Sequence, residues 1–373
     1  MLKHLLGASA LALALASPAL ADLKVGSISE LSGAGAAAGT NWHDGLVMAF
    51  DEINADGGIL GEKVEVLSYD SQTDPQVSRA LVQKAIDEGA YALMGTVYSG
   101  STIVNMLVSQ QAGIPQITGS ESPKITAMGN PYIFRTAFGA QKGIPKLVGY
   151  LKEQGITKMA VAYANTEFGK GGHDAFMAEA KTAGIEVVAE VPSEQAQTDF
   201  AADVVKLKGT GAQAIFVYYT EEESARFLRE AQKQSIGIPL YGDTTLIGQK
   251  VIDLAGGAAE GVMGHVGLTS DADVPLVKEM VDKFKAKFNY TPDHNAIKGY
   301  LGAYALKYAT EIAGEADSEK VAETMHGLTL KASEYPGVLM DMSWDDTGEV
   351  SRASFLVKVE NGHQTVIKQL PAN

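Results

Sequence analysis

The sequence predicts an α/β protein with two doubly wound lobes, each built on a mainly parallel sheet. Three observations support this fold class. From residue 23 onward, short β-rich runs alternate with longer segments of helical period, which is typical of parallel βαβ units. The alternation stops at a stretch rich in glycine, residues 138–145, and then begins again. Even without its first 21 residues, the 373-residue chain is longer than one ordinary domain.

The elements follow from the hydrophobic period and the turn residues. In the first half, strands are expected at 23–29, 64–69, 91–97 and 114–118, and helices at 42–54, 75–88 and 99–112. The second series has strands at 159–164, 186–191, 214–219 and 239–241, with helices at 171–183, 200–207 and 222–234. A strand at 261–266, helices at 274–288 and 295–312, and a hairpin of strands at 355–359 and 365–370 complete the chain.

The chain is expected to cross between the lobes more than once. Lobe 1 takes residues 22–141 and 265–337, and lobe 2 takes residues 142–264 and 338–373. The crossing segments then form a multi-strand hinge. In such folds ligands bind in the cleft outside the carboxyl ends of the strands.

The first 21 residues have the order of a secretory signal. Lys3 and His4 precede an apolar run at 5–16, and Ala19 and Ala21 form an Ala-x-Ala cleavage site. The apolar run is too short to span a bilayer, and no later stretch reaches the ~18 apolar residues of a membrane span. We therefore expect export, cleavage after Ala21 and a soluble mature protein.

Composition excludes several classes of function. The formal charge of −15 disfavours nucleic acid as a partner, since nucleic acids select basic patches. No cysteine is present, which removes disulfides and thiolate chemistry. None of the seven histidines has a metal-site spacing, and G-x-S-x-G is absent. Asp74 before Pro75 is interpreted as a helix cap rather than a calcium ligand. We expect no metal and no enzyme activity.

The small-residue run at 33–39 is not a dinucleotide site. Its spacing is not G-x-G-x-x-G, and no acidic residue closes the second strand as the ribose requires. We expect no cofactor. The run is predicted to be a flexible first loop that lines the cleft.

Two hydroxyl-rich turns follow neighbouring predicted strands. In residues 94–102 an apolar strand ends as a helix begins, so free backbone amides together with Ser99 and Thr102 can hold a carboxylate without an arginine. The alternative is that Ser99 or Ser101 serves only as an N-cap. In the second turn, Ser120 and Ser122 follow the next strand and are expected beside Ser99. Its alternative is a β-turn with a proline stop.

At these residues the chain resembles the leucine/isoleucine/valine-binding family of periplasmic receptors, which feed ABC importers. The resemblance covers nearly the whole mature chain and is carried by residues 28–33, 49–61, 69–75 and 133–136. It implies a type I periplasmic binding fold, monomeric and hinge-bending, with an ABC transporter membrane permease as partner. It also implies that Ser99 holds the ligand carboxylate and that Val97, Tyr98, Ser120 and Ser122 surround the ligand.

The part of the site that binds an amino group departs from the family pattern. Phe168 stands where the family usually has a tyrosine, and Thr244 stands at the acidic position, with Asp243 beside it. If Asp243, Glu221 or Glu222 reaches the cleft, the ligand is an α-amino acid; otherwise a carboxylate without an amine, such as an aromatic acid, is expected.

Apolar walls are expected from aromatic side chains, and they suit either ligand class. These candidates are Trp42, Tyr98, Phe168 and Tyr219. We favour capture of a small, branched-chain type amino acid for import. The same transport role for an aromatic acid, and a ligand-sensing receptor of the same fold, are the alternatives.

Overall fold

The computed structural model describes residues 22–372, so the predicted signal sequence and its cleavage site lie outside the described residues. A first sheet is wholly parallel, with the strand order β2-β1-β3-β4-β5. Its strands are β1 (Leu23–Ser29), β2 (Val64–Asp70), β3 (Ala92–Met94), β4 (Gln116–Thr118) and β5 (Ile133–Arg135). The helices between them are α1 (Ala36–Ala55), α2 (Pro75–Asp87), α3 (Ser99–Ala112) and α4 (Lys124–Ala127).

A second sheet has the order β15-β14-β10-β9-β8-β6-β7 and ends in an antiparallel hairpin. Its strands are β6 (Lys158–Ala164), β7 (Glu186–Ser193), β8 (Ala214–Tyr218), β9 (Leu240–Gly242), β10 (Met263–Val266), β14 (Ser354–Glu360) and β15 (His363–Leu370). Its helices are α5 (Ala140–Glu153), α6 (Glu167–Ala183), α7 (Ala201–Lys208), α8 (Glu221–Lys233), α9 (Thr244–Ile247) and α10 (Gln249–Ala255). The prediction of two doubly wound α/β lobes is confirmed.

Three further helices and a small antiparallel sheet complete the fold. The helices are α11 (Pro275–Phe288), α12 (His294–Ala313) and α13 (Ser318–Met325), and α11 and α12 pack on α1. The small sheet has strands β11 (Thr329–Leu330), β12 (Met342–Trp344) and β13 (Val350–Arg352). The sequence pattern missed it because strands of two or three residues are too short for a period to register.

The predicted flexible loop at 33–39 is wrong. A 3₁₀ turn covers Gly33–Gly35, and α1 begins at Ala36 instead of residue 42. The glycines here permit close packing: a Cβ on Gly39 would lie 2.2 Å from the carbonyl oxygen of Glu30. The glycine-rich stretch at 138–145 likewise runs into helix α5, which contains Pro145. The Asp74 cap is confirmed, since its side chain accepts the amides of Gln76 and Val77.

Helices α1 and α12 cross at two glycines. A Cβ on Gly45 would lie 2.0 Å from the carbonyl oxygen of Ala296, and a Cβ on Gly299 would lie 2.2 Å from that of Trp42. Backbone therefore contacts backbone on both sides of the crossing. This contact fixes the height and rotation of α12, whose first turn reaches the cavity described below.

We expect Gly45→Ala to lower the free energy of unfolding by about 1–3 kcal/mol, because the added methyl group has no room without a shift of α12. Gly149→Ala is the matched control. Gly149 lies exposed in helix α5, and nothing lies within 4 Å of the position that its added methyl group would take, so alanine should stabilise by about 0.5–1 kcal/mol. Urea unfolding measures both, and equal effects would contradict the packing argument.

The chain passes between the two sheets after β5, after β10 and after β13, and buried arginines join these three connections. Arg135 is fully buried; its Nη1 donates to the carbonyl of Ser120 at 2.6 Å, and its Nη2 donates to that of Ser122. Its Nε lies 3.1 Å from Oε2 of Glu349, whose Oε1 accepts the amide of Gly139 at 2.9 Å. The ion pair links the first connection to the residue that leads into β13.

Arg352 contacts all three connections. Its Nη1 donates to the carbonyl of Thr136 at 2.8 Å, and its Nε donates to that of Gly267 at 3.4 Å. The guanidinium lies 5.1 Å from the ring centre of Phe138. Burial lowers the pKa of Arg352 to about 9, although the charge of Glu121 raises it. A single side chain on β13 thus holds the two other crossing segments.

Candidate functional site

A cavity of about 410 Å³ lies between the two sheets, at the carboxyl ends of their parallel strands. One wall comes from the segments that follow β2, β3 and β4 and from the start of α12. The other comes from the segments that follow β6, β7, β8 and β9. Both lobes therefore contribute to one cavity of a size suited to a small organic molecule.

The first turn of α3 faces the cavity through Ser99, Gly100 and Ser101. The first amides of a helix have no partner within it, so they are free to bind an anion. Tyr98 occupies the N-cap position and no side chain caps the helix. The alternative that Ser99 or Ser101 is only an N-cap is therefore wrong. The Ser99 Oγ instead accepts the amide of Ser122 at 3.2 Å.

Val97 and Tyr98 also line the cavity. The Tyr98 hydroxyl donates to the carbonyl of Ala34 at 3.1 Å, which holds the ring against the 3₁₀ turn before α1. The amides of Val97 and Tyr98 donate to the carboxylate of Glu30 at 3.3 and 3.1 Å. Burial raises the pKa of Glu30 to about 7, and the two backbone hydrogen bonds partly oppose that rise.

Thr102, Ser120 and Ser122 support this wall from behind. The Thr102 and Ser120 hydroxyls lie 2.6 Å apart, and both are fully buried beneath α3. Ser122 gives its amide to Ser99 and its carbonyl to Arg135. The structure does not bring these three predicted ligand-binding residues to the cavity wall, because their polar groups are used in joining α3 to the segment after β4.

On the opposite wall, Phe168 lines the cavity and stacks on Tyr218, with ring centres 4.3 Å apart. Tyr219 does not reach the cavity: it is fully buried, and its hydroxyl lies 3.0 Å from the Ser193 Oγ. Trp42 is fully buried too, in the core cluster around α1.

Asp243 and Thr244 line a second, much smaller cavity of about 20 Å³, which Glu121, Lys298 and Arg352 also line. Asp243 Oδ1 accepts the Thr245 amide at 3.1 Å. Burial raises the pKa of Asp243, and the nearby charge of Glu121 adds to the rise. This volume is about that of one water molecule, and neither residue lines the larger cavity.

Lys298 is a cation on the wall of the large cavity, and its charge is already paired. Its Nζ lies 2.6 Å from Oε1 of Glu121, and both side chains are buried. The pair is neutral overall. Neither partner is therefore left to bind a free ligand charge without breaking a buried ion pair, which costs several kcal/mol.

Glu221 is an acid on the opposite wall, and within residues 22–372 it has no charged partner. Its Oε1 accepts Asn295 Nδ2 at 3.1 Å and lies 3.7 Å from His294 Nε2. Burial, with the charge of Lys298, lowers the pKa of His294 well below its ordinary value, so the imidazole is neutral. Burial raises the pKa of Glu221 to about 8, and the charges of Glu222 and Asp293 add to this. A ligand cation would supply the missing counter-charge.

Several wall residues were not found from the sequence. His294, Asn295, Lys298 and Glu121 reach the cavity, the first three from the beginning of α12. The one available signal is Asp293, whose side chain caps α12 by accepting the Asn295 amide at 2.7 Å and so marks where the helix begins.

Within residues 22–372, no helix is long and apolar enough to cross a membrane.

Comparison with known proteins agrees with this architecture. The family model described as periplasmic binding protein matches residues 22–364. A leucine-, isoleucine-, valine-, threonine- and alanine-binding protein of Pseudomonas aeruginosa is 28% identical over 343 residues, which cover 91% of this chain and 90% of that protein. The resemblance seen in the sequence motifs is therefore confirmed over almost the full length.

Two solved structures have the same fold. A solute-binding protein of an R. palustris ABC transporter, in complex with benzoate, has a TM-score of 0.87 and 21% identity, covering 95% of this chain and 98% of that chain. The substrate-binding protein of a Streptococcus pneumoniae branched-chain amino acid transporter, in complex with isoleucine, has a TM-score of 0.85 and 24% identity, covering 95% and 99%. With its fold, its cavity between two sheets and its matched family model, this chain belongs to the periplasmic binding protein family.

Proposed function

We propose that this protein is the periplasmic solute-binding component of an ABC importer and that it captures a small amino acid of the branched-chain type. One observation carries the ligand class: Glu221 is a buried acid on the cavity wall with no cation beside it. The α3 amides offer an anion site on the other wall. A ligand with both a carboxylate and an ammonium group satisfies both walls.

The apolar part of the cavity suits the body of such a ligand. Val97, Tyr98 and Phe168 present carbon surface to the cavity. The Pseudomonas aeruginosa relative is named for binding leucine, isoleucine and valine, and the Streptococcus pneumoniae structure holds isoleucine. These names support an aliphatic side chain in the space that the three residues enclose.

An aromatic carboxylate without an amine is the second candidate. The R. palustris protein of the same fold was solved with benzoate. Phe168, stacked on Tyr218, offers an aromatic face to the cavity, and offset stacking on such a face stabilises an aromatic ring. This candidate leaves Glu221 protonated and without a cation.

A thermal-shift screen separates the two candidates, because a ligand that binds only the folded protein raises its Tm. The probes are leucine, isoleucine, valine, the keto acid 4-methyl-2-oxopentanoate and benzoate. We expect a clear rise with leucine and little or none with its keto acid. A rise with benzoate alone would favour the second candidate. No shift with any amino acid or carboxylate would contradict the proposed function.

We expect Ser99→Ala to weaken leucine binding by about 1–3 kcal/mol, because a hydroxyl beside the carboxylate site is lost and the Ser122 amide loses its acceptor. Calorimetry measures the change. Ser333→Ala is the control. Ser333 is exposed and does not line the cavity, so this variant should bind leucine as the wild type does. Unchanged affinity in Ser99→Ala would place the carboxylate elsewhere.

The remaining parts of the proposal concern the protein in the cell. It is exported with cleavage after Ala21, acts as a monomer that closes its lobes (22–141 with 265–337, and 142–264 with 338–373) over the ligand, and delivers it to a membrane permease. It is not an enzyme. N-terminal sequencing of secreted protein tests the cleavage site, and recovery of a chemically altered ligand after incubation would contradict a role in binding alone.

A further inference from the structure

Glu30 is a buried carboxylate directly behind the segment that leads into α3. It follows strand β1 and is fully buried. Its Oε1 accepts the Tyr98 amide at 3.1 Å, and its Oε2 lies 3.3 Å from the Val97 amide nitrogen. Tyr98 immediately precedes the first helical residue, Ser99. Glu30 therefore holds in place the backbone whose next amides form the proposed carboxylate site.

The charged group that faces Glu30 is another acid. Asp70, at the end of the neighbouring strand β2, raises the pKa of Glu30 further, although burial is the larger cause. Asp70 is itself held by the amides of Leu31 and Ser32, at 3.0 and 3.1 Å. Helix α1 packs on the backbone of Glu30 at Gly39. Within residues 22–372, no lysine, arginine or histidine forms an ion pair with Glu30.

A ligand carboxylate on the first amides of α3 would bind the backbone directly after the Val97 and Tyr98 amides that Glu30 binds. Two carboxylates at close range in a buried site cannot both ionise easily, so the approach of one favours protonation of the other. Among the described residues that line the cavity, no cation is free to relieve the repulsion, since Lys298 is paired with Glu121.

We propose that Glu30 is a positioning residue that couples ligand capture to proton uptake: as the ligand carboxylate docks on α3, Glu30 takes up a proton from solution. The inference rests on the proposed function, because it needs a carboxylate at the start of α3. It adds a group that no ligand touches but that alters affinity with pH.

The sign of the effect follows from the direction of the shift. Free Glu30 has a pKa of about 7 because of its burial, and the bound ligand raises it further. The contribution to affinity is therefore complete below about pH 7 and is lost as the pH rises through the higher pKa of the bound state. Each unit of increase changes affinity about tenfold across that window.

Glu30→Gln removes the proton exchange and keeps an acceptor for one of the two amides. We expect the ratio of wild-type to Glu30→Gln affinity for leucine to fall about tenfold between pH 6 and pH 9. Calorimetry in buffers of different ionisation enthalpy should show that the wild type takes up about half a proton more than the variant near pH 7.5. Benzoate, which has no ammonium for Glu221, serves as a second probe.

Two further variants distinguish coupling from mere support of the loop. Glu30→Asp keeps the titrating group on a shorter side chain, so it should bind more weakly and retain the wild-type pH dependence. Glu65→Gln, at an exposed position on β2, should match the wild type at every pH. If Glu30→Gln binds more weakly with an unchanged pH profile and proton count, Glu30 only supports the backbone and the proposal is wrong.

Failure of the proposed function gives a different result. If neither leucine nor benzoate binds the wild type at any pH, the carboxylate site itself is wrong and the coupling falls with it. If both probes bind and the profiles of wild type and Glu30→Gln coincide, the site stands and only the role of Glu30 is overturned.

Discussion

Glu221→Gln is expected to weaken leucine binding by about 2–4 kcal/mol and to leave binding of 4-methyl-2-oxopentanoate nearly unchanged. The substitution keeps an oxygen for Asn295, which donates to Glu221 at 3.1 Å, and so preserves the local structure. It removes the charge of the buried cavity acid that forms no ion pair with a lysine or arginine of residues 22–372. His294 cannot replace it, because an imidazole has no anionic form at these pH values, and burial keeps this one neutral.

The same group predicts a pH dependence. Burial sets the pKa of free Glu221 at about 8, and a bound ammonium group lowers it. Its contribution to leucine affinity is therefore present above about pH 8 and is lost as the pH falls through the lower pKa of the bound state. This direction is opposite to that of Glu30, and the keto acid should not show it.

Calorimetry on both ligands, across pH 6–9, checks the assignment. Glu65→Gln is the control, since Glu65 is exposed on β2 and does not line the cavity. It should lose little affinity. Equal losses for leucine and its keto acid in Glu221→Gln would mean that the variant disturbs the cavity in general and that Glu221 does not pair with an ammonium group.

Arg135→Met should lower the free energy of unfolding by about 3–5 kcal/mol, the usual cost of breaking a buried ion pair from one side. The variant leaves Glu349 buried without its cation and leaves the carbonyls of Ser120 and Ser122 without their donors. The methionine fills much of the space, so loss of charge and hydrogen bonds is the main cause.

Urea unfolding followed by circular dichroism measures the loss. The control is Lys158→Met, which breaks the pair of Lys158 with Glu186 at 3.5 Å, where both side chains are more than half exposed. We expect a change below about 1 kcal/mol there, since exposed pairs contribute little. A similarly small change in Arg135→Met would show that the buried pair does not stabilise the connections between the sheets.

The order of strands and helices was predictable because each buried parallel strand is an apolar run between helices of clear period. The helix at 99–112 was predicted with its observed bounds. The prediction of a flexible loop at 33–39 was wrong. Gly39 is needed for close packing against Glu30, and the sequence alone does not distinguish such a glycine from one in a mobile loop. Strands β11 to β13 are too short to have a period at all.

The candidate site was predictable only in part, for a similar reason. Ser99, Tyr98 and Phe168 follow the ends of strands, and strand ends converge in this fold class. Thr102 and Ser120 have suitable hydroxyls, yet these hydroxyls point away from the cavity and contact each other on the buried side of α3. Lys298 is far away in sequence, and its arrival depends on the glycine contacts between α1 and α12. No local pattern contains that information.

The position of Arg352 has a consequence for how the two lobes move relative to each other. Because one guanidinium holds the carbonyls of Thr136 and Gly267, the three connections cannot flex separately, and we expect the lobes to rotate about a single axis. Partly closed, twisted arrangements should then be rare. If the protein works as proposed, a bound ligand needs only to shift the balance between an open and a closed arrangement, and a permease would have two shapes to distinguish.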